Sequence, residues 1–386
     1  LRDGEPVMST EIQVADQPIG VNGVEVLSVG AGGGSIAWID SGNSLRVGPR
    51  SAGSQPGPAC YGRGGREPTV TDANLMVGRM SAGAFLGGRR SLDVALAERA
   101  IEENIGKPLG LSVSEAAAGI ITIVNSNMAS AIRAVSIERG IDPRDYVMVA
   151  GGGAGGLHAC ELAKMLHISE VLIPRSAGGL CAFGMAVTPV RHDYVRLLHC
   201  NTDSDTAVAE ISKVFDELIG QGQAHLESDG FAVHEISFNR YVEGRYPGQV
   251  HNLTVPLPDG PIDEELLTRL ELEFHDEHER RFTYCMRDQP IQCIHWRVAA
   301  TGARPAPEGR LDSVAVKATP SDQRMAYMAS VNEAVKTQIY QGDNLATGDH
   351  IDGPAIIEFT TTTIVVNPDD ALTVQADGSS LLRIAL

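Results

Sequence analysis

The chain has 386 residues, of which 31 are basic and 49 acidic, and the net charge of −18 disfavours nucleic acid and anionic membrane surfaces as partners, because both would repel it. A content of 43% hydrophobic and 21% charged residues is typical of a soluble globular protein with two domains. No uninterrupted apolar run approaches the roughly 20 residues of a membrane-spanning helix. The six cysteines lack CxxC and zinc-finger spacing, which favours reduced thiols in a cytoplasmic protein and predicts no metal site.

The first 80 residues are predicted to form strands joined by glycine-rich loops. A strand over residues 24–29 leads into a loop that contains Gly32, Gly33 and Gly34. Strands over residues 36–40 and 45–48 follow, with turn residues between them. The glycine loop has two interpretations, since it can cradle a phosphate or let two strands cross.

A glycine- and proline-rich segment over residues 48–60 precedes a short polar motif. In this motif Asp72 and Asn74 stand two residues apart, just before an apolar segment. Asp72 suits a helix N-cap, and equally a carboxylate that orients a substrate or a metal-bound water. We expect Asp72 and Asn74 to line the reaction cleft as candidate catalytic residues.

Residues 91–139 are predicted to be helical, with a capping box formed by Ser112 and Glu115. A strand over residues 146–150 then runs into a glycine loop and a helix over residues 157–166, and a further strand follows at 170–174. This order predicts a βαβ unit with parallel strands. Its loop of Gly151, Gly152, Gly153 and Ala154 can approach a nucleotide at the helix N-terminus, although close strand–helix packing would also explain the glycines. His158 in the first helical turn has a structural or a ligand-binding interpretation.

A polar stretch near residues 199–205 predicts a domain boundary. The predicted domains are 1–202, with α/β structure, and 203–386, with α+β structure. The second contains helices over residues 205–227 and 262–282 and ends in strands. His275 and His278 lie on the second, strongly charged helix, where a solvated face is expected.

Several stretches of the chain resemble the hydantoinase A/oxoprolinase family. The most specific are SVGAGGGSIAWID (28–40), VGPRSAGSQPGPACYG (47–62) and PTVTDAN (68–74). Others are residues 125–133, 136–140, 151–159, 274–282 and 353–363, so that the resemblance extends over essentially the whole chain. The family includes N-methylhydantoinases, 5-oxoprolinases, and subunits of acetone and acetophenone carboxylases.

The resemblance implies an α/β fold in which residues 1–202 are part of an actin- and sugar-kinase-like ATPase lobe, followed by the α+β domain. It also implies ATP and Mg²⁺ as cofactors, with Gly151–Ala154 on the adenosine side. The family's Asp-x-Gly-Gly-Thr phosphate loops do not occur in this chain. The resemblance therefore places them, with most of the magnesium site, in an N-terminal half that precedes it.

The activity implied by the resemblance is ATP-dependent activation of a small cyclic amide for hydrolysis, together with a hydantoinase B-type partner subunit. The alternatives are a subunit of an ATP-dependent ketone carboxylase and a non-catalytic module for nucleotide binding or subunit contact. The residues do not distinguish hydantoin, oxoproline, lactam and ketone substrates. For Asp72→Asn, the sequence predicts nearly normal melting with loss of turnover.

Overall fold

The computed structural model describes residues 26–83, 85–204, 207–257, 260–304 and 318–386, together with the short segments 8–9, 12–14, 17–19 and 23–24. The α-helices of these residues are α1 (Val70–Met76), α2 (Val94–Ile101), α3 (Lys107–Leu109), α4 (Val113–Val135), α5 (Gly155–Leu166), α6 (Leu180–Val187), α7 (Ala207–Ser228) and α8 (Glu264–Phe282). A π-helical turn, Glu102–Gly106, connects α2 to α3.

The strands of the described residues are numbered in chain order. They are β1 (Met8–Ser9), β2 (Ile12–Val14), β3 (Gln17–Ile19), β4 (Gly23–Val24), β5 (Ser35–Ile39), β6 (Leu45–Ser51), β7 (Met148–Val149), β8 (Glu170–Ile173), β9 (Val190–Asn201), β10 (Ile236–Arg245), β11 (Leu253–Pro256), β12 (Gln292–Gly302), β13 (Asp322–Met328), β14 (Glu333–Gln341), β15 (His350–Asp352), β16 (Ala355–Glu358), β17 (Thr363–Val366), β18 (Ala371–Val374) and β19 (Ser380–Arg383).

The first compact unit contains the described residues of Leu1–Phe183 and Gly309–Leu386. Its five-stranded sheet has the order β15-β18-β19-β8-β7, and a four-stranded sheet has the order β13-β14-β16-β17. Strands β7 and β8 are parallel and α5 connects them, which confirms the predicted βαβ unit. Apolar residues of α5 pack into the core with β8, β17, β18 and β19.

Helix α4 is the central helix of this unit. Its capping box is present as predicted, with Ser112 accepting from the Glu115 N–H and the Glu115 carboxylate accepting from the Ser112 N–H. By length and composition alone this helix is apolar enough to cross a bilayer, unlike the expectation from uninterrupted apolar runs. Ile120, Ile121 and Val124 are nevertheless fully buried in the core with residues of α1, β5 and β6.

The second compact unit is Gly184–Glu308, with the strand order β11-β10-β12-β9 and antiparallel pairing throughout. Its core includes Phe215 of α7 and Trp296 of β12, whose rings meet edge to face at 5.8 Å. The prediction of a solvated face for His275 and His278 is wrong. Both are buried, with His275 Nδ1 2.5 Å from the Tyr246 hydroxyl and His278 Nδ1 2.8 Å from the Tyr284 carbonyl oxygen.

The compact units differ from the predicted domains 1–202 and 203–386. Strand β9 continues to Asn201 and so includes residues 199–201 of the predicted linker 199–205, whose residue 205 lies outside the described residues. The C-terminal strands belong to the first unit, because β19 pairs antiparallel with β8, with Leu382 opposite Val171. A buried strand needs hydrogen-bonding partners on its open edge, and here the partner is about 200 residues away along the chain.

Two strand predictions also change in extent. The strand expected over residues 24–29 is seen only as β4, Gly23–Val24; Glu25 lies outside the described residues and 26–29 have no regular structure. The strand expected over residues 146–150 is confined to Met148–Val149.

Candidate functional site

A cavity of about 400 Å³ opens beside the N-terminus of α5. It lies wholly within the first unit and is lined by residues from six parts of the chain: residues 33–34, 53–61, 71–86, 153–157, 178 and 358–363. The lining residues are Gly33, Gly34, Gly53, Pro58, Tyr61, Thr71, Asn74, Met80, Ser81, Phe85, Leu86, Gly153, Ala154, Leu157, Gly178, Glu358, Phe359, Thr360, Thr361, Thr362 and Thr363. Segments that are far apart in the sequence therefore meet at one cleft.

The two glycine loops predicted from the sequence meet at this cavity. A β-carbon at Gly33 would lie 2.9 Å from the Thr71 hydroxyl and 3.7 Å from the Ala154 β-carbon, so the loops are neighbours. The Gly33 carbonyl accepts from both the N–H and the hydroxyl of Thr71, at 2.8 and 2.9 Å. Gly34 and Gly153 also line the cavity. The backbone is therefore exposed to a ligand on this wall.

The other three predicted glycines serve the loops' own structure. Gly32 donates its N–H to the Ser35 hydroxyl at 2.9 Å. Gly151 packs so closely that an added β-carbon would lie 2.8 Å from a Leu180 methyl carbon. Gly152 has a φ of +89°, which favours glycine, and donates its N–H to the Ala177 carbonyl at 2.6 Å. None of these three lines the cavity.

The segment Thr360–Thr363, which was not predicted as a site, also lines the cavity. Thr362 donates its hydroxyl to the carbonyls of Gly152 and Gly153, at 3.1 and 3.3 Å. Thr360 binds the Asp343 carboxylate through its N–H and its hydroxyl. A run of threonines carries no local signal of function, and only its contacts with the glycine loops reveal its position.

Asp72 does not line this cavity. It is fully buried and is the third residue of a capping box whose N-cap is Thr69, so the N-cap role expected for Asp72 belongs to Thr69. Its carboxylate accepts hydrogen bonds from the N–H of Cys60 at 2.8 Å, from that of Ala59 at 3.2 Å, and from the N–H and hydroxyl of Thr69 at 2.8 and 2.7 Å. These four donors use its acceptor capacity to fasten the glycine- and proline-rich loop to α1.

Asn74, by contrast, does line the cavity while being only 1% exposed. Its Nδ2 donates to the Val70 carbonyl at 3.0 Å, one helical turn back. Its Oδ1 is buried without a hydrogen-bond partner. The two residues of the sequence motif therefore have different roles: the Asp72 carboxylate is structural, and the Asn74 amide lies at the cleft.

A buried polar cluster of Arg79, Asn125, His158 and Glu161 adjoins the cavity, since Arg79 donates to the carbonyl of Leu157, which lines the cavity. Arg79 and Asn125 both donate to the Glu161 carboxylate, and Asn125 Oδ1 lies 2.7 Å from His158 Nδ1. Burial, with a further contribution from the Arg79 charge, lowers the pKa of His158 to about 3, so its imidazole is neutral. His158 thus has structural partners, and Arg79 and Glu161 join it from positions that the sequence argument missed.

Glu358 is the cavity's one carboxylate among the described lining residues. It is 7% exposed and forms an ion pair with Arg324 at 2.9 Å. Arg324 is held in turn by the Gly78 carbonyl at 2.7 Å. Within the described residues, no group of three or more His, Cys, Asp or Glu side chains is arranged to hold a metal ion.

Comparisons with known proteins agree with this architecture. A family model for hydantoinase/oxoprolinase matches residues 1–194, and one for the hydantoinase/oxoprolinase C-terminal domain matches residues 200–384. Caprolactamase subunit alpha of Pseudomonas jessenii is 41% identical over 355 residues, covering 91% of this chain and 51% of that subunit. This chain spans about half the length of this and two other curated relatives that it matches.

Solved structures show the same similarity. The crystal structure of ATP-dependent caprolactamase from Pseudomonas jessenii superposes with a TM-score of 0.78 at 38% identity, covering 98% of this chain and 56% of that one. A nucleotide-free structure of acetone carboxylase, from work on ATP-dependent acetone carboxylation, superposes with a TM-score of 0.87 at 25% identity, covering 99% and 56%. The mixed α/β fold and both family matches establish that the chain belongs to the hydantoinase/oxoprolinase family.

Proposed function

We propose that this chain forms the part of an ATP-dependent enzyme in which a small cyclic amide is activated for hydrolysis. The observation that carries the proposal is the cavity beside α5, where two glycine loops, an unpaired amide oxygen and a run of threonines meet. Support comes from the 41% identity to caprolactamase subunit alpha, whose name states a lactam substrate.

The chemistry explains why a cavity without a nucleophile suits such a reaction. An amide carbon is a poor electrophile, and transfer of the terminal phosphoryl group of ATP to the amide oxygen, with loss of ADP, makes it reactive. Water then adds to the carbon and the carbon–nitrogen bond of the ring breaks, leaving an acyl phosphate and a free amine. A second water adds to the same carbon and the carbon–oxygen bond to phosphate breaks, leaving inorganic phosphate and the opened amino acid. Phosphoryl transfer needs chiefly positioning and charge stabilisation. Backbone at Gly33, Gly34 and Gly153 and the threonine hydroxyls provide polar groups for this.

The described residues do not offer a donor set for Mg²⁺. Glu358 is the only carboxylate on the described cavity wall and is paired with Arg324, and the Asp72 carboxylate is occupied by four donors. We therefore assign no metal ligand in this chain. The proposal includes a hydantoinase B-type partner subunit, supported by the name of caprolactamase subunit alpha, and a cytoplasmic location, supported by six cysteines without a disulfide.

The test uses the enzyme purified together with its natural partner subunits. ATP consumption is measured with hydantoin, 5-oxoproline and caprolactam, and the amide that stimulates it is then prepared with ¹⁸O in its carbonyl group. Transfer of phosphate to the amide oxygen predicts that ¹⁸O appears in inorganic phosphate. Turnover of a cyclic amide with all ¹⁸O retained in the carboxylate product would contradict this route, in which the carbon–oxygen bond to phosphate breaks.

A second candidate, ATP-dependent ketone carboxylation, is supported by the superposition on acetone carboxylase with a TM-score of 0.87. The same preparation distinguishes the two functions. Bicarbonate-dependent consumption of acetone or acetophenone, with no stimulation by any cyclic amide, would replace amide activation with this function.

A further inference from the structure

The orientation of the Asn74 side chain in the cavity wall is determined by its own helix. Nδ2 donates to the Val70 carbonyl at 3.0 Å, and a carbonyl oxygen accepts but does not donate. The amide group therefore cannot be reversed without losing this bond, and the end that remains without a partner is the acceptor Oδ1. Asn74 Oδ1 is therefore a buried acceptor that can receive a hydrogen bond from a ligand.

Other buried amides of this unit differ in this respect. Asn367 is fully buried outside the cavity and has no hydrogen-bond partner for either side-chain end. Asn125, 3% exposed, has both ends engaged, by His158 and by Glu161. Among the described side chains that line the cavity, only Asn74 and Glu358 carry a buried polar atom without a hydrogen bond, and Glu358 is paired with Arg324. An unpaired buried acceptor is costly, and one that lines a cavity can be completed by a ligand that donates a hydrogen bond.

The surroundings of Asn74 indicate a ligand that is neutral and partly apolar. Tyr61, Met80 and Phe85 lie on the same cavity wall and belong to one apolar cluster, with the Tyr61 and Phe85 rings 5.5 Å apart. Among the described lining residues there is no lysine, arginine or histidine, so this wall offers no cation to a phosphate. Apolar side chains beside the Asn74 acceptor suit a ring of methylene groups that carries one N–H.

We propose that Asn74 Oδ1 accepts a hydrogen bond from the ring N–H of the cyclic amide, and thereby selects amides over ketones of the same shape. This inference rests on the proposed function and adds to it a specificity-determining residue. A ketone has a CH₂ group where the amide has N–H, so it would leave Oδ1 unpaired. A site built to hydrogen-bond a polar group discriminates strongly against an analogue that lacks it.

The test compares caprolactam with cycloheptanone, which has the same ring size and lacks the N–H. Inhibition constants of both against turnover of a third cyclic amide are measured for the complete enzyme. Wild type is expected to bind caprolactam at least about tenfold more tightly, as a well-placed hydrogen bond implies. In Asn74→Leu this preference should fall to nearly none, with the loss in KM rather than in kcat. Equal affinities in wild type would overturn the proposal without any variant.

The matched control is Asn104→Leu, because Asn104 makes the same bond to a carbonyl one turn back, to Ala100 at 2.8 Å, and lies outside the cavity. It should retain the wild-type preference. The ATP dissociation constant of Asn74→Leu should also be unchanged. If that variant loses ATP affinity but keeps its preference for caprolactam, Asn74 contacts the nucleotide and the proposal is wrong. If no cyclic amide stimulates ATP consumption at all, the proposed function fails instead.

Discussion

His158 Nδ1 lies 2.7 Å from Asn125 Oδ1, and this contact joins α5 to α4 in the interior of the first unit. Because Asn125 Nδ2 donates to Glu161, its Oδ1 is the acceptor and His158 Nδ1 carries the proton. His158 Nε2 is then an unprotonated nitrogen, buried without a partner. A proton added there would create a second buried cation beside Arg79.

This arrangement predicts loss of stability in acid. The pKa of His158 is about 3 in the folded protein and about 6.5 when the side chain is unperturbed, so the unfolded chain takes up the proton first. The free energy of unfolding should be insensitive to this group above pH 6.5 and should fall as the pH decreases from 6.5 towards 3. Between pH 7.5 and 4.5 the wild type should lose about 3 kcal/mol more than His158→Asn in urea unfolding. Parallel pH profiles of the two proteins would contradict the burial of a neutral imidazole.

Asp72→Asn should destabilise the protein, in contrast to the normal melting expected from the sequence. The introduced amide nitrogen would face main-chain N–H groups that now donate to the carboxylate, so one or more donors lose their acceptor. A loss of about 2–4 kcal/mol in the free energy of unfolding is expected. Glu115→Gln is the control, since Glu115 holds the same capping-box position in α4 but is exposed, and it should cost less than about 1 kcal/mol. Equal losses in the free energy of unfolding for the two variants, measured by chemical denaturation, would show that the buried Asp72 stabilises the protein no more than the exposed Glu115 does.

Arg79→Met should be among the most destabilising changes in the first unit. It removes the cation that is paired with buried Glu161 and also the donor to the Tyr327 carbonyl at 2.9 Å. An uncompensated buried charge costs about 3–5 kcal/mol. Adding Glu161→Leu should restore part of the loss, whereas Arg144→Met, which breaks an exposed ion pair with Asp142, should change stability by less than about 1 kcal/mol. Thermal and urea unfolding are measured for wild type, Arg79→Met, Glu161→Leu, the double variant and Arg144→Met, and strictly additive losses for the double variant would contradict the pairing.

Gly178→Ala should distort the cavity, while Gly179→Ala should not. A β-carbon at Gly178 would overlap the Thr361 side chain, but one at Gly179 meets nothing within 4 Å. Because Thr361 lines the cavity, Gly178→Ala is expected to raise the KM for both ATP and the amide and to lower stability by about 1–3 kcal/mol. Gly179→Ala should behave as wild type in both assays. Normal kinetics for Gly178→Ala would mean that the threonine segment is not part of the binding site.

The elements predicted well are those whose signals are local. The capping box of Ser112 and Glu115, the apolar spacing of α4 and the strand–glycine–helix order around Gly153 each lie within a few residues of chain. Hydrogen bonds and helical periodicity act over that same distance, so the pattern and the structure coincide. The role of Asp72 was predicted less well, because its decisive donors at Ala59 and Cys60 come from a loop without regular sequence spacing.

The sequence by itself determined the family resemblance, the order of the elements and the two glycine loops. Only the tertiary structure decided that Gly33 and Ala154 face the same cavity, that Arg79 pairs with Glu161 82 residues away, and that the C-terminal strands complete the sheet begun by β7 and β8. These are long-range choices, set by which apolar faces share a core and which buried polar groups find partners there. Residues that are neighbours in the sequence do not specify these long-range contacts, because burial depends on how the whole unit packs.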